Sequence, residues 1–170
     1  MQSLVAGAGA AYQVVLVASD KPAAPGLGWA AEQGLATFAG DAKALGKPAF
    51  EAALDEALRA AKVERIALAG YMRLLSADFV TRWRGCIVNI HPSLLPHYKG
   101  LDTHARAIEA GDMVAGCTVH VVTEELDAGD ILGQAEVPVL SGDTPDSLAA
   151  RVLEAEHRLY PSVLAEFVRR

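Results

Sequence analysis

The chain has 170 residues, 52% apolar and 21% charged, with a formal net charge of −6 at neutral pH. That suits a single globular domain with a real core, and an acidic balance without any Lys/Arg cluster argues against nucleic acid as a main partner. No apolar run reaches the ~18 residues of a spanning helix, Met1-Gln2-Ser3 lacks the positive start of a signal peptide, and the distant Cys86 and Cys117 read as reduced thiols of a cytoplasmic protein, not as disulfide partners or metal ligands.

In chain order, residues 1–11 are small and helix-tolerant. Residues 14–18 are a continuous apolar run, read as a buried parallel strand. Asp20-Lys21-Pro22 and Pro25-Gly26 make a loop, residues 27–33 a short helix closed by Gly34, residues 35–38 a short strand and residues 41–47 a connector. Pro48 suits a first helical turn, and Phe50, Leu54, Ala57, Leu58 and Ala61 line one helix face. Residues 66–69 form the next buried strand, and Ser76 caps a helix to about Arg82. An apolar strand then starts at Cys86, residues 97–100 are a loop, and a helix over 103–110 stops at Gly111.

After Gly111 the pattern changes. Residues 117–122 and 131–139 are successive strands flanking Asp127-Ala128-Gly129-Asp130, which predicts an antiparallel edge. Asp143 or Thr144 caps a long last helix with Pro145 near its start, and Pro161 is expected to kink or end it. The alternation over 13–110 predicts an α/β fold, a doubly wound, mostly parallel Rossmann-like sheet with that antiparallel edge. No repeat or linker interrupts it, so residues 1–170 read as a single domain.

The chemistry centres on Asn89-Ile90-His91-Pro92-Ser93-Leu94-Leu95-Pro96. Alternation along a strand points Asn89 and His91 to one side. Pro92 then stops the ladder. An amide and an imidazole are thereby held at a carboxyl strand end, where open α/β sheets bind ligands. Ser93, set among prolines, is a poor nucleophile candidate. Gly26-Leu27-Gly28-Trp29-Ala30-Ala31 matches G-x-G-x-x-A only loosely, behind too long a turn, and reads as loop and helix start. His97, His104 and His157 read as ordinary loop, helix-face and surface residues. His120, polar in an apolar strand, points toward the Asp127 loop. On the last helix Leu148, Val152, Leu159, Val163 and Phe167 form a stripe, and Glu156 falls inside it. A carboxylate there is costly unless something donates to it.

If Asn89, His91 and Asp127 converge, they equip the chain for acyl transfer without a covalent intermediate. The amide donates to a developing oxyanion. The imidazole donates or moves a proton near neutral pH. The carboxylate fixes the imidazole tautomer.

Four stretches carry a family resemblance: Ala69-Gly70-Tyr71-Met72-Arg73-Leu74-Leu75, Asn89 through Pro96 with Gly100, His120 through Gly129, and Glu156-His157-Arg158-Leu159-Tyr160-Pro161. Over nearly its whole length the chain resembles the folate-dependent phosphoribosylglycinamide formyltransferases of purine biosynthesis. The resemblance implies transfer of a formyl group from 10-formyltetrahydrofolate to the amine of glycinamide ribonucleotide, with no metal. It implies Asn89, His91 and Asp127 as the catalytic residues. Met72, Arg73, Leu74 and Leu75, together with Val122, Thr123, Glu124, Glu125, Leu126 and Asp127, would line the pterin pocket. Lys47 would meet the folate tail. Gly70 and Pro92 would contact the glycinamide end, and Glu156 the ribose hydroxyls. The expected partners are these small molecules, not membrane or nucleic acid, and the protein is expected to be a monomer or homodimer.

The family opens with a strand and a Gly-x-Gly-Ser-Asn loop that cradles the phosphate. Neither precedes Met1-Gln2-Ser3-Leu4 here, so the chain is expected to be N-terminally truncated relative to the family. Methionyl-tRNA formyltransferase shares the Asn-x-His-Pro-Ser-Leu-Leu-Pro and Asp-Ala-Gly-Asp signatures but needs a further RNA-binding domain. Formyltetrahydrofolate hydrolase carries a His in place of Pro92. A folate-binding remnant, inactive without the phosphate loop, is the non-enzymatic alternative.

Overall fold

The computed structural model describes residues 1–169. It is an α/β fold whose strands form two sheets, β1–β2 and β3–β4–β5–β6. Helix α1 (Gln2–Ala6) leads to β1 (Val17–Ser19), α2 (Pro25–Glu32) and β2 (Thr37–Ala39), and β1 and β2 pair in parallel. The apolar run at 14–18 is thus strand only at its end. Its earlier residues line a groove of about 560 Å³ between β1 and the next sheet.

Residues 41–47, expected to be a plain connector, contain a short helix, α3 (Ala42–Leu45), because the Asp41 carboxylate accepts from the N–H groups of Lys43 and Ala44. Helix α4 (Lys47–Ala60) buries Phe50, Leu54 and Leu58, as its periodicity predicts. It packs with Phe79 and Trp83 of the α5 region against one face of the sheet.

Strand β3 (Ile66–Leu68), helix α5 (Ala77–Arg82) and strand β4 (Ile87–His91) follow, and β3 and β4 are parallel. Ser76 caps α5 through its hydroxyl. The buried Glu51 carboxylate accepts from both the Ser76 N–H and its hydroxyl, fastening α4 to the cap. Helix α6 (Thr103–Ala110) ends at Gly111 in the left-handed conformation that glycine adopts freely. Strands β5 (Val114–Val121) and β6 (Ile131–Pro138) complete the sheet, and both β4–β5 and β5–β6 are antiparallel, so the predicted edge is two ladders wide.

Helix α7 (Pro145–Phe167) starts at a capping box between Thr144 and Ser147. Its stripe is buried as expected, with Leu148, Val152, Val163 and Phe167 packed on β5 and β6, each large side chain contributing on the order of 2 kcal/mol by burial. Pro161 does not end the helix. The apolar stripe continues through Val163, Leu164 and Phe167, and packing outweighs the one N–H that proline lacks. The Tyr160 hydroxyl donates to the Leu68 and Val88 carbonyls at 3.0 and 3.1 Å, tying α7 to both parallel strands.

Candidate active site

The site follows from one register. Asn89 pairs with His120 and His91 with Thr118 across the β4–β5 ladder. Directly opposed residues share a face, so these four side chains form a polar patch. Val88, Ile90, Cys117 and Val119 point the other way, and α7 covers them. Within the patch His120 Nδ1 donates to the Val121 carbonyl at 3.1 Å, since a carbonyl only accepts. Its Nε2 is left to accept from Asn89 Nδ2 at 3.3 Å. Burial lowers the His120 pKa, opposed by the Val121 hydrogen bond and by Asp127. The neutral ring is the form this bonding pattern requires. It aims the Asn89 amide and leaves the second amide N–H without a partner among the described residues.

Asp127 arrives from the loop after β5. It lies in the left-handed region, φ +47°, and its side chain is only 8% exposed. Two residues on, a Cβ at Gly129 would overlap the Val121 carbonyl oxygen, so glycine lets the loop fold tightly back on β5. Asp127 Oδ2 accepts the Gly100 N–H at 2.9 Å and stands 3.4 Å from His91 Nδ1. Its Oδ1 stands 3.6 Å from His120 Nε2. His91 Nε2 in turn donates to the Tyr98 carbonyl at 2.9 Å. Both nitrogens of His91 therefore face acceptors. Asn89, His91 and Asp127 do meet, and His120 stands between the amide and the acid.

The turn after β4 is pinned from below. Thr118, fully buried, donates to the Ser93 carbonyl at 2.6 Å and accepts the Leu95 N–H at 3.0 Å. Gln134 on β6 donates to Thr118 Oγ1 and to the Leu95 carbonyl, both at 2.9 Å. The Ser93 hydroxyl donates to the His97 carbonyl at 2.6 Å and is occupied in that turn. Sequence reasoning missed Thr118 and Gln134. The only signal was two polar residues in strands, and their partners depend on the ladder.

The other expected residues spread around this centre. Met72 and Leu74, at the carboxyl end of β3, are 75% and 67% exposed, an apolar surface open to solvent beside the more covered Leu75. Arg73 is exposed. Val122 is half-buried, and Thr123 and Leu126 are exposed. Glu124 is held by Thr81 and Arg84, and Glu125 by Lys99, so both carboxylates point away to neighbouring elements. Gly70, φ +71°, lines the 560 Å³ groove, whereas Pro92 lines a separate cavity of about 50 Å³ with His104. The 560 Å³ groove is lined by Gly70 and Tyr71 but not by Asn89, His91 or Asp127. Lys47 opens α4, with no hydrogen bond or ion pair to the trio among the described residues.

Glu156 does not join the trio. It lies half-buried on α7, on the covered face of the sheet, where its charge raises the pKa of Cys117, already pushed up to about 12 mainly by burial. Burial raises the pKa of Glu156 itself, against the opposing charge of the Met1 amino group.

A family model described as formyl transferase matches residues 3–164. The chain is 44% identical over 152 residues to phosphoribosylglycinamide formyltransferase of Escherichia coli, an alignment covering 89% of this chain and 72% of that protein. It is 50% identical over 153 residues to the trifunctional purine biosynthetic protein adenosine-3 of Gallus gallus, of whose length it spans only 15%. The crystal structure of phosphoribosylglycinamide formyltransferase from Brucella melitensis superposes with a TM-score of 0.92 at 50% identity, covering 100% of this chain and 90% of that one. A glycinamide ribonucleotide transformylase from Symbiobacterium toebii gives 0.88 at 46% identity, covering 92% and 74%. With the family model matched over residues 3–164 and the Escherichia coli and Brucella melitensis phosphoribosylglycinamide formyltransferases 44% and 50% identical, the chain belongs to the formyl transferase family, among the phosphoribosylglycinamide formyltransferases.

Proposed function

We propose that this protein transfers the formyl group of 10-formyltetrahydrofolate to the amine of glycinamide ribonucleotide, in purine biosynthesis and in the cytoplasm. The observation that carries the reading is the convergence of an amide, an imidazole and a carboxylate at the carboxyl end of β4. That convergence supports direct acyl transfer.

The amine attacks the formyl carbon, a C–N bond forms, and the carbonyl oxygen becomes an oxyanion. The unused amide N–H of Asn89 donates to that oxygen, and the ring of His91 lends it positive charge. Asp127 balances His91 and takes the proton released by the attacking amine. The intermediate collapses by breaking the bond to N10 of the folate, which receives a proton and leaves as tetrahydrofolate. The exposed Met72 and Leu74 with the 122–127 loop offer the pterin an apolar and backbone-lined surface, and Lys47 offers a cation to the anionic folate tail. Gly70 and Pro92 border the glycinamide end, and Glu156 accepts the ribose hydroxyls.

Purified protein is mixed with both substrates and the appearance of tetrahydrofolate is followed by absorbance. Saturable formation of formylated ribonucleotide is expected. Saturable folate binding without any turnover would replace this reading with a folate-binding protein.

A further inference from the structure

One short loop holds two members of the trio at once. The Tyr98 carbonyl accepts from His91 Nε2, and the Gly100 N–H donates to Asp127 Oδ2, each at 2.9 Å. To present both groups the loop takes positive φ at Tyr98, Gly100 and Asp102, +55°, +81° and +56°. Glycine accepts this freely, but a tyrosine does not. Something outside the trio must therefore hold the loop in shape.

Three side chains do so. The Tyr98 hydroxyl donates to Asp112 Oδ2 at 2.6 Å, a charge-assisted bond. That bond raises the phenol's pKa, with burial adding to it, so the proton stays in place. The Arg106 guanidinium lies 5.1 Å from the centre of the Tyr98 ring. Its Nη1 donates to the carbonyls of Lys99 at 2.8 Å and Leu101 at 3.2 Å, which flank Gly100. Arg106 belongs to α6, and Asp112 lies just past its Gly111 cap with its N–H donating to the Ala107 carbonyl at 3.1 Å, so both anchors are tied to one helix.

We propose that Tyr98, Arg106 and Asp112 are positioning residues for the reaction: they lock the 98–102 loop so that the Tyr98 carbonyl orients the His91 ring and the Gly100 N–H orients Asp127. The kinetic consequence rests on the formyl-transfer reading above, but the geometry does not. A ring free to turn spends less time facing Asp127, so turnover falls while the substrate surfaces stay intact.

The test uses the full chain and the variants Tyr98→Phe, Asp112→Asn, Arg106→Ala and Arg106→Lys. It reads kcat and KM across the pH range in which histidine titrates, the ring-nitrogen NMR signals of His91, and the melting temperature. In Tyr98→Phe and Arg106→Ala, kcat should fall about ten- to a hundredfold, with KM for both substrates within about twofold of the parent. The pH profile of kcat and the His91 Nε2 signal should both move, and Arg106→Lys should recover part of the loss. Unchanged kcat, pH profile and ring signals in the folded variants would overturn the proposal, whatever happens to the melting temperature. If Tyr98→Phe fails to fold, the exposed Arg106 variants decide the matter. If the parent transfers no formyl group, the functional reading fails, and the ring signals still decide: moved in the variants they support the lock, unmoved they refute it.

Discussion

Asn89 and His120 stand directly opposite each other on antiparallel strands, and the amide Nδ2 lies 3.3 Å from the ring Nε2. Because His120 Nδ1 is committed to the Val121 carbonyl, the ring can only accept from the amide. A neutral histidine thus fixes which end of an asparagine faces its neighbour. The remaining amide N–H is free to meet a substrate.

Removing either member of the β4 pair should cost turnover more than binding. Asn89→Ala and His91→Ala are each expected to lower kcat by about 10²–10³, the scale of a lost oxyanion stabiliser. Steady-state kinetics check this, and near-parental turnover in His91→Ala would take His91 out of the mechanism.

His120 should make the fold acid-sensitive. Its pKa is lowered in the folded state, chiefly by burial. Between the folded value and the ordinary 6.5 the unfolded chain binds more protons, so stability rises with pH through that window and falls on acidification. His120→Gln removes this titration and keeps an acceptor for Asn89. Its melting temperature should depend less on pH than the parent's below neutrality. Equal pH dependence in both proteins would be incompatible with a buried neutral His120.

Glu156 should show stability and affinity moving in opposite directions. Burial raises its pKa, so the ionised carboxylate penalises the folded state. The penalty is absent below the ordinary 4.5 and complete above the folded value. Glu156→Gln should therefore melt higher at neutral pH, and this gain should disappear in acid. If the carboxylate accepts ribose hydroxyls, KM for the ribonucleotide should rise about tenfold, the worth of one charged hydrogen bond. A neutral-pH melting temperature below the parent's would contradict the first half, and an unchanged KM the second.

Gly129→Ala should disable the site through backbone displacement. The added Cβ overlaps the Val121 carbonyl, so the loop that carries Asp127 must lift from β5. A shift of about 1 Å there should cost about a hundredfold in kcat. Turnover close to the parent's would mean that the position of Asp127 is not critical.

The site was legible in the sequence to the extent that its rules are local. Alternation along β4 and the stop at Pro92 put Asn89 and His91 together without knowledge of the fold. The stripe on α7 was readable from its period, and Glu156 stood out within it. The role of His120 needed the β4–β5 register, which joins residues 31 apart in sequence. Thr118 and Gln134 looked like ordinary strand polar residues, because the Ser93 and Leu95 backbone groups that they satisfy come from another segment. The positive φ of Tyr98 is imposed by Asp112 and Arg106, and no local preference announces it. The helix runs on past Pro161 for the same reason in reverse: the contacts on either side of a local breaker hold it.

The Tyr160 hydroxyl joins carbonyls 92 and 72 residues upstream, so the clamp across the parallel strands is completed only when α7 is made. On the ribosome, the catalytic end of the sheet must wait for that helix to emerge, and the nascent chain remains open to proteases until then. Protease resistance of stalled nascent chains should accordingly appear in one late step, after Phe167 has cleared the exit tunnel.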